Sequence, residues 1–248
     1  MPKFFVRQDQ IEGKIITLRG DDAFHISRSL RMAKGEHITV CDMQANEYDC
    51  VLREFLPDTV LAEILSAHKA DTESPVRITL YQALPKGDKL DSVIQKSVEC
   101  GVQGIVLFES ERCVVKSKKE AEERKNERRN RIALEAAKQS GRGYVPTVRG
   151  TLSFEAAVKE AVSADLCLFC YEGETESTLK TVFTSAMAEG KALHSVSIII
   201  GSEGGFSVSE AALARACGAI SVSLGRRILR TETAAPFVLS CLSYVFEM

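Results

Sequence analysis

Two apolar runs near the C-terminal end break abruptly at glycine, and they constrain the fold more than any other feature. The first is Val196 and Ile198-Ile199-Ile200, followed by Gly201-Ser202-Glu203-Gly204-Gly205-Phe206-Ser207. The second is Ile220 to Leu224, followed by Gly225-Arg226-Arg227-Ile228-Leu229-Arg230-Thr231-Glu232-Thr233. A short apolar run closed by glycine predicts a buried strand entering a tight loop. Glycines clustered in a loop let the backbone turn sharply and approach a ligand closely. Ser207 and Glu210 have the S-x-x-E spacing of a capping box, which predicts a helix from about Val208. Thr231 or Thr233 can cap the final helix; with Thr233 as N-cap, Pro236 falls in the first turn, where no intrahelical bond is lost. Two such loops at strand ends of an α/β sheet form the kind of crevice where ligands bind. Neither loop has the spacing of a P-loop or a dinucleotide fingerprint.

The chain behind these loops divides into two parts. The N-terminal part is strand-rich, with short runs at Phe4-Phe5-Val6, 15–18, 37–41, 48–55 and 59–65. One helical stretch lies among them, capped by Asp21 or Asp22, with Phe24, Ile26, Leu30 and Met32 as its apolar positions and Gly35 after it. Five short strands and one helix predict a small closed or half-closed barrel. Ala70-Asp71-Thr72-Glu73-Ser74-Pro75 reads as a linker. The expected domains are therefore 1–71 and 72–248.

Beyond the linker, strands at 76–83, 105–108 and 165–171 alternate with helices at 88–100, 120–140, 154–162 and 179–188 before the two glycine loops. Gly101, Gly141 and Gly190 are the expected helix stops. In the first helix Leu90, Val93, Ile94, Ser97 and Val98 face inward. This alternation predicts a mainly parallel sheet covered on both faces.

Composition excludes some functions and leaves others open. With 45% hydrophobic and 27% charged residues in 248, the chain is expected to be an ordinary globular protein. No apolar run reaches the length of a membrane span, and no leader is expected at Met1-Pro2-Lys3-Phe4-Phe5. Eight cysteines in such a chain point to a reducing cytoplasm. Cys167-Leu168-Phe169-Cys170 has C-x-x-C spacing but lies in an apolar run, where cysteine packs as a small hydrophobe; no metal is expected. The four histidines form no catalytic constellation. The net charge is −2, yet nine Lys or Arg and four Glu fall between Arg112 and Arg131. A solvated helix face is the ordinary reading of such a run, and a surface that follows phosphates the sharper one.

Both glycine stretches closely resemble the signatures of the RsmE-type ribosomal RNA methyltransferases of the SPOUT class. The family's G-P-E-G-G-F is G-S-E-G-G-F here, with Ser202 in place of proline. The family's L-G-x-R-I-L-R-x-E-T-A is complete from Leu224 to Ala234, and Glu135 to Arg142 resembles E-A-x-x-Q-S-x-R. The tryptophan usual near Arg128-Arg129 is absent. The resemblance implies a PUA-like RNA-binding barrel followed by a knotted α/β methyltransferase domain, usually a homodimer with the final helix near the interface. It implies S-adenosylmethionine as cofactor, held by the loop after Tyr171-Glu172, by Gly201, Ser202, Glu203, Gly204 and Gly205, and by Leu224, Gly225, Ile228, Leu229 and Arg230.

The implied reaction is methylation of ring nitrogen 3 of a uridine in small-subunit ribosomal RNA, in the cytoplasm. Arg230 is the first candidate cation for the developing imide anion, and Arg7 the second, from its own or a partner subunit. Glu203 and Glu232 are candidates to take the proton or to fix an arginine. Arg7, His25, Arg28, Arg31 and Lys34 are expected to face RNA; Gln139 and Arg142 are expected to contact RNA or buttress the cofactor loops. The alternatives are a SPOUT enzyme acting on transfer RNA or a ribose hydroxyl, and a non-catalytic RNA-binding assembly factor.

Overall fold

The structure, a computed structural model, describes residues 1–115, 119–188 and 192–248. Gly190, and Lys116 and Lys118 of the basic run, lie outside the described residues. The chain forms two compact units, Met1–Glu73 with Ala137–Val145, and Ser74–Ala136 with Pro146–Met248.

The first unit holds β1 (Lys3–Phe5), β2 (Ile11–Glu12), β3 (Ile15–Arg19), β4 (His37–Cys41), β5 (Asn46–Leu56) and β6 (Thr59–Lys69). They form one sheet in the order β1-β4-β5-β6-β3-β2, parallel only between β1 and β4. No ladder among the described residues joins β1 to β2, so the sheet is open at both edges. Alternation sets its faces: Ile16 and Leu18 of β3, and Ile38 of β4, are fully buried between exposed or half-buried neighbours, and Val40 is buried with Cys41 at the end of β4. Two register shifts, at Asp49/Cys50 and Leu52/Glu54, interrupt the long β5–β6 ladder, and such bulges bend and twist a sheet around its core.

The helix expected after Asp21 is shorter than its apolar spacing predicts. Helix α1 (Asp21–Phe24) passes into a π-turn at His25–Ser29, and its N-cap is Gly20, not Asp21 or Asp22. Only Ala23 and Ile26 are buried there, while Phe24 and Leu30 are exposed. The wider π-turn rotates Leu30 off the stripe that a regular 3.6-residue period would give it.

The segment Ala137–Val145 returns to this unit through polar contacts. Lys3 Nζ donates to the Gly141 carbonyl and pairs with Glu47, and the Gly143 N–H donates to Thr72 Oγ1 and to Glu73.

The second unit has β7 (Arg77–Ala83), β8 (Gly104–Glu109), β9 (Thr147–Ser153), β10 (Leu166–Cys170), β11 (Ser195–Ile200) and β12 (Ile220–Val222). All six are parallel, in the order β12-β10-β11-β7-β8-β9. Every residue of β10 and β11 is buried, as for strands covered on both faces. Burying a side chain such as Leu168 or Ile198 stabilises by roughly 1.5–3 kcal/mol each.

The covering helices are α2 (Lys89–Glu99), α3 (Lys119–Gln139, which ends in the other unit), α4 (Phe154–Ala161), α5 (Leu179–Ala188), α6 (Val208–Ala216) and α7 (Thr231–Phe246). Leu90, Val93, Ile94, Ser97 and Val98 of α2 are all buried, as their spacing predicts, and Gly101 ends the helix at φ +88°. Strand β9, with only Val148 fully buried, has too little apolar alternation to read as a strand.

Helix α7 departs from expectation at its start. Its N-cap is Arg230, without a capping side chain, and neither Thr231 nor Thr233 serves. Thr231 is the first helical residue, so Pro236 is the sixth and removes the bond its N–H would have made to the Glu232 carbonyl. Thr231 does not cap because its hydroxyl is bound elsewhere, as described next.

Candidate functional site

The sheet order places three loops side by side. Chain order climbs outward from β7 to β9, then resumes on the other side of β7 with β10, steps inward to β11 and ends outermost at β12. Cys170, the last residue of β10, stands in register with Ile200 of β11 and with Val222 of β12. The loops beginning at Tyr171, Gly201 and Ser223 therefore leave one edge of the sheet together, at the topological switch point of an open α/β sheet. They enclose a cavity of about 610 Å3. Tyr171, Glu172, Gly201, Ser202, Glu203, Gly204, Gly205, Leu224, Gly225, Ile228, Leu229 and Arg230, every residue expected there, line it. Lys89, Cys170, Ile200, Ser223, Arg227, Thr231 and Ala234 complete the wall.

Local sequence explains how each loop is held. Phe206 ends the first glycine loop in an aromatic cluster, its ring 4.5 Å from Phe169 and stacked at 6.3 Å on Phe108. The capping box then starts α6, with the Glu210 N–H donating to Ser207 Oγ (3.2 Å) and the Ser207 N–H to the Glu210 carboxylate (2.9 Å). The Gly205 N–H donates to the Ser202 carbonyl at 3.0 Å, closing the turn without the proline usual at that position.

Two of the glycines also make room for neighbouring protein groups, which their clustering alone does not predict. A Cβ on Gly204 would meet Arg112, at 2.9 Å from its Cβ and 3.1 Å from its carbonyl. A Cβ on Gly205 would overlap the Glu172 carboxylate, and Gly205 has φ +63°. Room for two protein side chains, together with a left-handed backbone, excludes a Cβ here.

Beneath the cavity the start of α7 is tied to the first loop. Thr231 Oγ1 donates to the Gly201 carbonyl at 2.7 Å and accepts from Gln82 Nε2 at 2.9 Å. Gln82, fully buried in β7, also donates to the Ala83 carbonyl at 2.9 Å. Gln82 Oε1 and Ser202 Oγ are buried without a hydrogen-bond partner among the described residues. Such groups are costly unless something satisfies them.

Four charged groups of the site, Lys89, Glu203, Glu232 and Arg230, form one cluster. Lys89 Nζ, at the start of α2, lies 2.8 Å from Glu203 and 3.9 Å from Glu232. Burial opposes ionisation of Glu203, but Lys89 and the Lys86 N–H outweigh it and hold the carboxyl below its ordinary value. Arg230 is 81% exposed, with Glu232 at 4.0 Å as its ion-pair partner. Glu232 stands in the first turn of α7, where a carboxylate also complements the helix dipole. Ile228 is 82% exposed at the rim, and Leu224 and Leu229 are half-buried.

The remaining candidates lie in the first unit. Arg7 is exposed and forked onto its neighbour Asp9. His25, Arg28, Arg31, Lys34 and Gln139 are exposed, and His25 packs edge-on to Phe4. Arg142 differs from these: it is 3% exposed, and its guanidinium donates to the Glu73 carboxylate. Within the basic run, Arg128 is forked onto Asp91, Arg129 is buried with Glu122, and Arg124, Lys125 and Arg131 face solvent. Burial pushes the Cys167 thiol up to about 12 and the Cys170 thiol higher still, so both pack as apolar groups.

Sequence reasoning missed Lys89, Gln82 and Arg112. Lys89 and Gln82 lie more than a hundred residues from the glycine loops in sequence, and only the parallel ladder β11–β7 brings β7 beneath them. Lys89 carried a local signal, as a cation opening an amphipathic helix; Gln82 carried one too, as an amide within an apolar strand.

Residues 72–243 match the family model described as an RNA methyltransferase domain. A protein of Bacillus subtilis, "Ribosomal RNA small subunit methyltransferase E", is 32% identical over 251 residues, covering 100% of this chain and 98% of its own length. The solved structure of a ribosomal RNA small subunit methyltransferase E from Neisseria gonorrhoeae, bound to S-adenosyl methionine, is 29% identical with a TM-score of 0.80 over 99% of this chain and 98% of that one. A Legionella pneumophila structure, in complex with the bound cofactor SAM, is 31% identical with a TM-score of 0.81 over 98% and 97%. A family match over most of the second unit, with full-length relatives on the same fold, places the chain in the RNA methyltransferase family, among the ribosomal RNA small subunit methyltransferase E proteins.

Proposed function

We propose that this chain transfers a methyl group from S-adenosylmethionine to ring nitrogen 3 of a uridine in small-subunit (16S) ribosomal RNA. The observation that carries the reading is the cavity at the ends of β10, β11 and β12, with every residue expected to hold the cofactor on its wall. Its residues fit the cofactor. A cavity of about 610 Å3 is of small-molecule size. Leu224, Leu229 and Ile200 offer apolar surface to an adenine, and Ser202 Oγ is a buried polar group still lacking a partner.

S-adenosylmethionine supplies a methyl group activated on a sulfonium, so the protein's work is positioning and electrostatics. The loops at Gly201 and Gly225 hold the cofactor through their backbone. Uridine nitrogen 3 carries an imide proton and becomes nucleophilic as that proton leaves. Arg230, on a long side chain held by one loose ion pair, stabilises the negative charge that develops on the base. Glu203, kept ionised by Lys89, and Glu232 are the carboxylates in reach of that region.

The first unit is read as the PUA-like RNA-binding module, with Arg7, His25, Arg28, Arg31, Lys34 and Gln139 directed to RNA and Arg142 acting as an internal brace to Glu73. The segment after Leu224 is read as threading the SPOUT knot, which the tie from Thr231 to Gly201 supports. The protein is further read as a cytoplasmic homodimer, with Arg7 serving its own or its partner's cavity. The test is methyl transfer from labelled S-adenosylmethionine to small ribosomal subunits, and separately to transfer RNA, both from cells lacking this protein. A single 3-methyluridine in the subunit RNA, identified by mass, is the expected result. Label in transfer RNA overturns the substrate, and failure to bind the cofactor overturns the enzyme.

A further inference from the structure

Arg112 follows β8, outside the cavity wall, yet it touches two of the three loops that form that wall. Its Nη1 donates to the Gly204 carbonyl at 3.0 Å and lies 3.8 Å from Glu172 Oε1. The same Glu172 oxygen accepts the Phe206 N–H at 3.2 Å. Arg112 thus links the loop after β10, through Glu172, to the loop after β11, through Gly204, and Glu172 closes the link on Phe206. The space taken by this link is the space the two glycines leave open, since a Cβ on Gly204 would strike Arg112 and one on Gly205 would strike Glu172. The neighbouring residue reinforces the attachment: the Glu111 N–H donates to Glu210 Oε1 at 2.8 Å, joining the same segment to the capping box of α6.

We propose that Arg112 is a positioning residue for the cofactor, fixing the spacing of the loops at Tyr171-Glu172 and Gly204-Gly205 without touching the ligand itself. The proposal rests on the cofactor reading above. An exposed ion pair alone would contribute little. The effect comes from a charged donor on a loop carbonyl and from a carboxylate that accepts the Phe206 N–H beside the Arg112 charge. With the spacing lost, the loops must be ordered when the cofactor binds, and affinity falls.

The test is calorimetric titration of S-adenosylmethionine into the full chain carrying Arg112→Ala, Arg112→Lys, Glu172→Gln or the pair Arg112→Ala with Glu172→Gln. Arg112→Ala is expected to raise Kd roughly five- to tenfold, with turnover at saturating cofactor within about twofold of the parent. Arg112→Lys, which keeps a donor for the Gly204 carbonyl, should recover part of the loss. The double variant should lose less than the product of the single losses, because both act on one link. An unchanged Kd in Arg112→Ala, or multiplicative losses in the pair, would overturn the proposal.

Amide exchange at Gly204, Gly205 and Phe206 gives a readout that needs no cofactor. Faster exchange there in Arg112→Ala, with the β10 and β11 amides unchanged, is expected; no change overturns the positioning role. If Arg112→Ala does not fold, Arg112→Gln carries both measurements. A parent that binds no cofactor while Arg112→Ala speeds the loop's exchange would overturn the proposed enzyme and leave the link intact.

Discussion

Replacing Thr231 with Val tests how the start of α7 is attached to the first glycine loop. Valine has nearly the shape of threonine, so the change removes the hydroxyl and leaves the packing. Two hydrogen bonds go with it: the donation to the Gly201 carbonyl at 2.7 Å and the acceptance from Gln82 Nε2 at 2.9 Å. Gln82 keeps its bond to the Ala83 carbonyl, and its Nε2 already lies 3.4 Å from the Gly201 carbonyl, so it can replace part of the lost donation. The net destabilisation is therefore about 1–3 kcal/mol, the cost of a buried group that loses its partner, weighted to the lower end. For a domain of this size that lowers the melting temperature by roughly 2–10 °C. Thermal unfolding followed by circular dichroism, with Thr231→Ser as the control that retains the hydroxyl, measures it. The serine protein should melt well above the valine protein. Equal melting of Thr231→Val and the parent would refute the claim that this hydroxyl ties the two elements.

Further expectations concern the cavity itself. Arg230→Ala should lower turnover far more than cofactor affinity; equal losses in both, or none in either, would remove it from catalysis. Gly205→Ala must place a side chain at φ +63° and displace the Glu172 carboxylate, which should destabilise by roughly 2–4 kcal/mol; a denaturant midpoint within error of the parent would contradict the packing described. Because the folded-state pKa of Glu203 is depressed, its ionised form contributes stability that is fully present above its ordinary value of 4.5 and is lost as pH falls through the folded value. Acid titration of unfolding should show the gap between parent and Glu203→Gln closing below that point, and a gap constant with pH would exclude the contribution. Pro236→Ala restores an N–H opposite the Glu232 carbonyl and should slow amide exchange in the first turns of α7; exchange as fast as in the parent would contradict this.

Much of the second unit was legible in the chain. Unbroken apolar runs such as Ile198-Ile199-Ile200 are strands buried on both faces, and the S-x-x-E spacing at Ser207 and Glu210 is a helix start, because each reports a local energetic choice. The inward positions of α2 were legible for the same reason. What the spacing misjudged were places where a distant group won. Thr231 has the side chain of a cap, but Gly201 and Gln82 claim its hydroxyl. Gly204 and Gly205 mark close approach, and their spacing could not show that Arg112 and Glu172 are among the groups that approach. Arg142 looks like a surface cation until Glu73 is seen beside it in the interior.

The sequence alone determined the periodicities, the caps and the loop signatures, all interactions between residues a few positions apart. Only the tertiary structure decided that β7 lies beneath the Gly201 loop, that the ends of β10, β11 and β12 align, and that Lys89 joins Glu203 and Glu232 at one cavity. Strand order and register are set by the packing of the whole sheet, and no local segment carries enough free energy to specify them.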